Sequence, residues 1–333
     1  MALRYSSLEH IKLFNQEKSL EQMLETQRID WIAFDEKMNV KSTTTLNNNF
    51  AGERVLMVLS NPKGEIFVAS AGQNKLITEK YVQEKADKVA SLSADLPKIS
   101  EYNFEGYYFD SCEDEQIVTC SVCYRGTDKT FNTLTAKFDF SQNQTFSSSA
   151  DIKDVMGLGK FKGGVESFDQ TGIDYYKNNW ITIQQYNTTS IEVRGSRTYS
   201  LYNSADILVS FFNEKMQPVK QLSIKEYFPT YEYMGKDPGY KIIGNKLIIL
   251  TDVFDGKKIF NAKYKFRYVI IDLDKMEIAQ DTMIDVNNRF NSIVYASRTV
   301  WVNNTALIFH LIDTNAFSQK DFAVKLEKLE FNF

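Results

Sequence analysis

Four aromatic residues each stand directly before an acid or an amide: Phe104-Glu105, Phe168-Asp169, Tyr231-Glu232 and Phe290-Asn291. With Phe50 as a degenerate first member, the steps between them are about 54, 64, 63 and 59 residues. Carboxylates that return at a near-constant interval suggest acid–base chemistry. Two of them flanking one bond, with their pKa values held apart by their surroundings, act as general acid and general base. If equivalent positions of a repeat converge on one face, Glu105, Asp169 and Glu232 share a pocket there. Tyr102, Phe104, Phe168, Tyr231, Tyr233 and Phe290 then offer flat apolar faces to a ligand, with Arg289 as the nearby base. The competing explanation is packing, because a repeat also repeats its contact residues.

Other chemistries find less support. Cys112, Cys120 and Cys123 are too few for a disulfide framework. Cys120 and Cys123 form a CxxC inside TCSVCY, which reads as a strand, so the two side chains point to opposite faces and do not bridge. His10 and His310 are the only histidines, which leaves a Cys/His zinc site without a fourth ligand. Asp252, Asp255 and Gly256 suggest calcium, but DxxDG lacks the spacing of an EF-hand loop and reads better as a hairpin turn. The stretch MGLGKFKGG matches neither a dinucleotide fingerprint nor a P-loop, and no GxSxG is present. No cofactor and no metal are expected. Sequons at Asn143, Asn187 and Asn303 are read as chance triplets in an Asn-rich chain.

The formal net charge is -4, and no basic stripe offsets it, so no nucleic-acid partner is expected. No window approaches the ~18 apolar residues of a membrane helix, and the start, MALRYSSLEHIKLF, lacks a signal-peptide core. The chain is expected in the cytoplasm, or in a secreted or periplasmic setting if a leader has been removed.

The elements that would position these residues are short strands. Gly244–Asp285 reads as three in succession. Leu247–Leu250 is an apolar run buried on both faces, and Phe266, Tyr268 and Ile270 share one face of the next strand. A hairpin pattern recurs at WIAFDEKMNVKSTTTL, LVSFFNEKMQPVKQLSI, IDLDKMEIAQ and FDFSQNQTF. Inner strands are expected after Gly52 (GERVLMVLS), Glu113, Asn178, Gly244 and Asn303, and the last strands near 290–299, 305–312 and 322–330. Residues 7–27 have helical spacing and could dock a partner. Thr78–Asp95 reads as a charged, helix-prone insertion, and Glu226–Lys241 as an irregular aromatic loop suited to recognition.

A period near sixty residues, built from three or four short strands, predicts an all-β radial repeat. The chain resembles β-propeller repeat proteins over nearly its full length. The resemblance implies about five blades (or six or seven), a ring closed by pairing N- and C-terminal strands, and a short N-terminal helix. The expected organisation is a helical segment at 1–28 and one propeller domain over 29–333. The Gly-His and Trp-Asp pairs of WD40 repeats and the Asp-boxes of sialidases are missing, and Gly163-Gly164 occurs once, without the repeated diglycine that kelch proteins show in every blade. The resemblance further implies a noncatalytic scaffold that binds a protein or glycan on its channel-mouth face. Two alternatives stand beside it. One is a structural subunit of a larger complex. The other resembles five-bladed glycoside hydrolases and would use Glu105, Asp169 and Glu232.

Overall fold

The computed structural model describes residues 2–5, 29–47, 50, 53–61, 63–72, 74–82, 86–96, 99–111, 116–126, 131–151, 165–194, 197–226, 228–230, 238–255, 263–284, 292–294, 296–313 and 322–332. Among these the only helical element is a single 3₁₀ turn; everything else regular is strand.

Six antiparallel sheets follow one another along the chain. Sheet A holds β1 (Ala2–Tyr5), β2 (Ile29–Phe34) and β3 (Val40–Thr45). Sheet B holds β4 (Arg54–Ser60), β5 (Glu65–Gly72), β6 (Lys75–Val82) and β7 (Lys88–Asp95). Sheet C holds β8 (Ile99–Ser111), β9 (Ile117–Gly126), β10 (Phe131–Asp139) and β11 (Gln144–Asp151). Sheet D holds β12 (Val165–Tyr176), β13 (Asn179–Arg194), β14 (Arg197–Asn213) and β15 (Pro218–Ile224), with β16 (Phe228–Thr230) paired to β14 as well. Sheet E holds β17 (Gly239–Ile243), β18 (Lys246–Asp255), β19 (Lys263–Asp272) and β20 (Glu277–Ile284). In sheet F, β21 (Ser292–Val294) and β22 (Val300–Val302) flank the 3₁₀ turn Ala296–Arg298 and both pair with β23 (Thr305–Asp313), which also pairs with β24 (Phe322–Glu330). Sheets B, C and E, and the main path of D, run through their strands in sequence order.

The chain forms two compact units. The first comprises Met1–Lys153 with Lys215–Gln217, and the second Asp154–Glu214 with Pro218–Phe333. Within each, the middle strands are buried on both faces. On β5 of the first unit, Ile66 and Val68 pack with Ile29, Trp31 and Tyr81, while Phe67, Ala69 and Ala71 pack with Val118, Cys120 and Val122 of β9. In the second unit, Leu247 and Ile249 of β18 meet Ile181, Ile207 and Val209 of sheet D. Ile248 and Leu250 face the other way, toward Ala306 and Ile308 of sheet F. Two-faced burial is why Leu247–Leu250 reads as an unbroken apolar run. Phe266, Tyr268 and Ile270 share the face toward sheet F, as their alternation predicts.

The recurring hairpin motif is a turn device. In the β2–β3 turn, Asp35 Oδ1 accepts from the backbone N–H groups of Lys37 (2.9 Å) and Asn39 (2.8 Å), and Met38 takes a left-handed φ of 63°. In the β19–β20 turn, Asp272 Oδ1 accepts from Asp274 (3.0 Å) and Lys275 (3.1 Å), with Met276 at 52°. Asp139 does the same for Ser141 and Gln142, with Asn143 at 52°. Met216 adopts 57° between β14 and β15. The short acid replaces backbone turn bonds, and the last turn residue takes the left-handed conformation that lets the strands resume pairing.

Three expectations need revision. Thr78–Asp95 is no helix: it completes β6 and forms β7. Its charges are paired in the sheet, with Lys80 on Glu65 (2.6 Å) and Lys88 on Glu79 (2.5 Å), so their density reflects cross-strand pairing. The buried second strand of sheet B is β5; the expected GERVLMVLS segment forms β4, the partly exposed first strand. Part of the presumed loop at 226–241 is strand, as β16 and the start of β17. The helix expected over 7–27 lies outside the described residues. Nearby, β1 pairs Ala2–Tyr5 with Ile29–Ile32, so the N-terminal hairpin has a partner from its own end of the chain.

Met38 is 74% exposed, so little packing opposes a change there. Met38→Gly should stabilise the protein by about 0.5–1 kcal/mol by relieving the left-handed φ, and Asp35→Ala should destabilise it by removing the acceptor of the turn N–H groups. Urea denaturation of the two variants beside wild type checks both signs.

Candidate functional site

The residues singled out by the sequence fall in several places. Tyr102, Phe104 and Glu105 sit on β8, in the first unit. Phe168 and Asp169 sit on β12, in the second. Tyr231, Glu232, Tyr233, Arg289, Phe290 and Asn291 lie outside the described residues. Phe168 is fully buried, its ring 5.1 Å from that of Tyr186. Asp169 accepts a hydrogen bond from Asn187 Nδ2 at 2.7 Å. Cys120 and Cys123 are both buried on β9 and face opposite ways, Cys120 into the core shared with sheet B. Burial pushes the Cys120 thiol far above its usual range, which suppresses thiolate chemistry.

Asp169 lies on a rung that crosses sheet D, Asp169–Gln185–Ile207–Ile224. On one side Ile181, Ile183, Val209 and Phe211 pack into the core, with Thr182, Gln184 and Ser210 buried beside them. On the other, past a register shift between Gln185 and Asn187, the buried residues include Asn187, Thr188, Asn203 and Ser204. Asn203 Nδ2 donates to Thr188 Oγ1 at 3.2 Å, while both polar atoms of the fully buried Gln185 side chain lack a hydrogen-bond partner. Buried amides left in this state are uncommon and costly, which sets this end of the sheet apart from ordinary core.

Beside it lies a constellation that sequence reasoning missed. Asp206 comes from β14, Glu226 from the link between β15 and β16, Thr251 and Asp252 from β18, and Arg267 from β19. Asp206 Oδ1 accepts from the Glu226 backbone N–H at 3.4 Å. Thr251 Oγ1 donates to Glu226 Oε1. Asp252 Oδ2 accepts from the Ala296 backbone N–H at 3.2 Å, on the 3₁₀ turn. Gly239 lets that turn approach, since a Cβ there would sit 2.3 Å from the Ala296 carbonyl oxygen. Arg267 grips Asp281 through Nε (2.7 Å) and Nη2 (2.5 Å), and its Nη1 donates to the Lys225 carbonyl at 2.6 Å.

The electrostatics are lopsided. Burial drives the Glu226 carboxyl well above the usual range; neighbouring Asp252 and Asp206 push it further, against the pull of Arg267. Burial does the same to Asp252, partly offset by the Ala296 N–H. The Asp281 carboxyl, hydrogen-bonded by Arg267, is held low. Glu226 and Asp252 therefore favour the neutral acid form, in which a carboxyl can donate a hydrogen bond. Glu226 Oε2 and Asp252 Oδ1 are both buried without a partner. No group of three or more His, Cys, Asp or Glu among the described residues could hold a metal ion. The only sequence signal was indirect: Asp252 and Glu226 appeared as a turn acid and a loop flank, and Asp206 not at all.

Arg267→Met should destabilise the second unit by about 2 kcal/mol or more, because it strips the one cation from Glu226 and the donor from the Lys225 carbonyl. Gly239→Ala should cost about as much by forcing the 3₁₀ turn away. Thermal melts of the two variants beside Lys275→Met, an exposed control, check the assignment.

No protein-family model matches the chain, and no curated protein matches it. Among solved structures, it is similar to an alpha-L-arabinanase from Penicillium chrysogenum complexed with arabinobiose, at 10% identity and a TM-score of 0.42, over 82% of this chain and 79% of that one. It is similar to Drosophila Plexin A in complex with Semaphorin 1b at 10% identity and a TM-score of 0.33, over 94% and 77%. A Lactobacillus plantarum protein matches at 9% identity and a TM-score of 0.30, over 91% and 82%.

Proposed function

We propose that this chain is a β-propeller-type binding module that recognises a protein partner and turns over no substrate of its own. The propeller reading is supported by the succession of antiparallel sheets and by the hairpin turn that recurs in sheets A, C, D and E. The binding reading rests on one observation. Among the described residues of sheet D, β12 pairs with β13 as far as Thr189, and β16 pairs with β14 as far as Tyr202. Beyond these points Ser190–Arg194 pairs with Arg197–Leu201 as a two-stranded ribbon among the described residues.

On that ribbon Ile191 is 70% exposed and Val193 71%. Both lie on one face by strand alternation, opposite Ser200 and Thr198. A two-stranded ribbon has little core of its own, so large β-branched side chains held in water there are better explained by a partner than by folding. The ribbon is built from β13 and β14, the strands that carry the rung through Asp169.

Ile191→Asp with Val193→Asp should leave stability within about 0.5 kcal/mol of wild type, because both side chains are exposed. Affinity for the partner should fall about thirtyfold or more, as two apolar anchors are lost. Cross-linking in native extract followed by mass spectrometry identifies the protein attached at the ribbon, and titration with that purified protein measures the loss. Hydrolysis of arabino-oligosaccharides by wild type, abolished in Asp169→Asn, would replace this reading with an enzymatic one.

A further inference from the structure

We infer that Glu226 and Asp252 form a proton-held clasp that ties the β15–β16 link to sheet E, and that the clasp opens when the pair ionises. The clasp stands on packing within the second unit. Only its bearing on partner binding rests on the ribbon reading.

The geometry is specific. Glu226 is the last described residue before β16, and β16 pairs Phe228–Thr230 with Ser204–Tyr202. Those β14 residues are the root of the ribbon, which begins at Leu201. Glu226 is therefore the anchor between sheet E and the strand that braces the ribbon's base. Its side chain is held from β18 by the Thr251 hydroxyl, and its backbone N–H by Asp206 of β14. Asp252 fastens the same region of β18 to the 3₁₀ turn through the Ala296 N–H.

The charged groups around the pair decide what ionisation does. Asp206 faces it from β14, and Arg267 from β19. Arg267 is already engaged by Asp281 of β20 and by the Lys225 carbonyl. The 3₁₀ turn contributes the Ala296 N–H and carries Arg298, which has a contact of its own. β16 brings no charged residue, and Lys241 of β17 donates to the Asn303 carbonyl. On the far side of sheet D, Asp169 is bonded to Asn187. Among the described groups, Arg267 is the cation that acts on Glu226, while Asp252 and Asp206 add like charge beside it. With Glu226 and Asp252 neutral the arrangement holds; with both ionised, two buried negative charges repel in a medium that screens poorly.

The direction with pH follows. Both carboxyls are raised in the folded chain above their unfolded values. Between those values the folded state holds protons that the unfolded state has released. Stability from the clasp is complete below the unfolded carboxylate range, about pH 4, and falls as pH rises toward the folded values. This is the reverse of an ordinary salt-bridged carboxylate.

Hydrogen exchange by mass spectrometry on the full chain, from about pH 5 to about pH 9, tests the clasp. After correction for the intrinsic pH dependence of exchange, protection of the amides in 200–206 and 228–230 should fall by up to about tenfold per pH unit for each proton released. Glu226→Gln and Asp252→Asn should each flatten that slope. A flat corrected profile in wild type, or an unchanged slope in the variants, overturns the clasp. Should neither variant fold, the infrared spectrum of wild type decides: a neutral carboxyl band that persists above the usual carboxylate range and disappears in alkali supports the clasp, and its absence overturns it. If the ribbon has no partner, the exchange slope stands unaffected, so the two readings fail separately.

Discussion

Burial of both faces of the middle strands is the constraint on which the rest of this structure depends. A sheet with one wet face needs only alternate apolar residues; a sheet covered on both sides favours unbroken apolar runs in its central strands. That preference produces Ile66–Ala69 on β5 and Leu247–Leu250 on β18, each run splitting its residues between two cores. It also makes each sheet dependent on its neighbour. None of these sheets buries its second face alone, so stability within each unit is shared between adjacent sheets.

Where the apolar runs stop, polar groups must still be enclosed. Sheet E makes this change between Leu250 and Thr251, and Thr251 reaches Glu226 there. For acids buried in such a place, protonation is a less costly state than ionisation without a partner.

The fold class was legible because alternation and turn chemistry are local. FDEKM, FNEKM and LDKM identify one hairpin type in three places, and the structure explains the motif through side-chain acceptance by Asp35 and Asp272 and left-handed methionines. Thr78–Asp95 misled because charge density resembles a solvated helix until the cross-strand partners Glu65 and Lys88 are known. The phase of sheet B slipped by one strand because GERVLMVLS is as apolar as GEIFVASAG, and only packing against sheets on both sides tells them apart. Asp206, Glu226 and Asp252 were not legible as a group. They are single acids on separate strands, and nothing in their local sequence marks them as neighbours.

The hairpin connections within each sheet bear on how the chain reaches this state. Apart from β1, whose partner β2 begins 24 positions later, the strands of sheets B, C and E each pair with the next one in the sheet's sequence order. Most ladders therefore close short loops, and their entropic cost is met early. A sheet can pair its strands soon after they leave the ribosome, while its two apolar faces stay open until the neighbouring sheets arrive. The hazardous interval in the life of this protein is thus the wait between pairing and stacking. During it, strands such as β5 and β18 present bare hydrophobic faces to any other chain nearby.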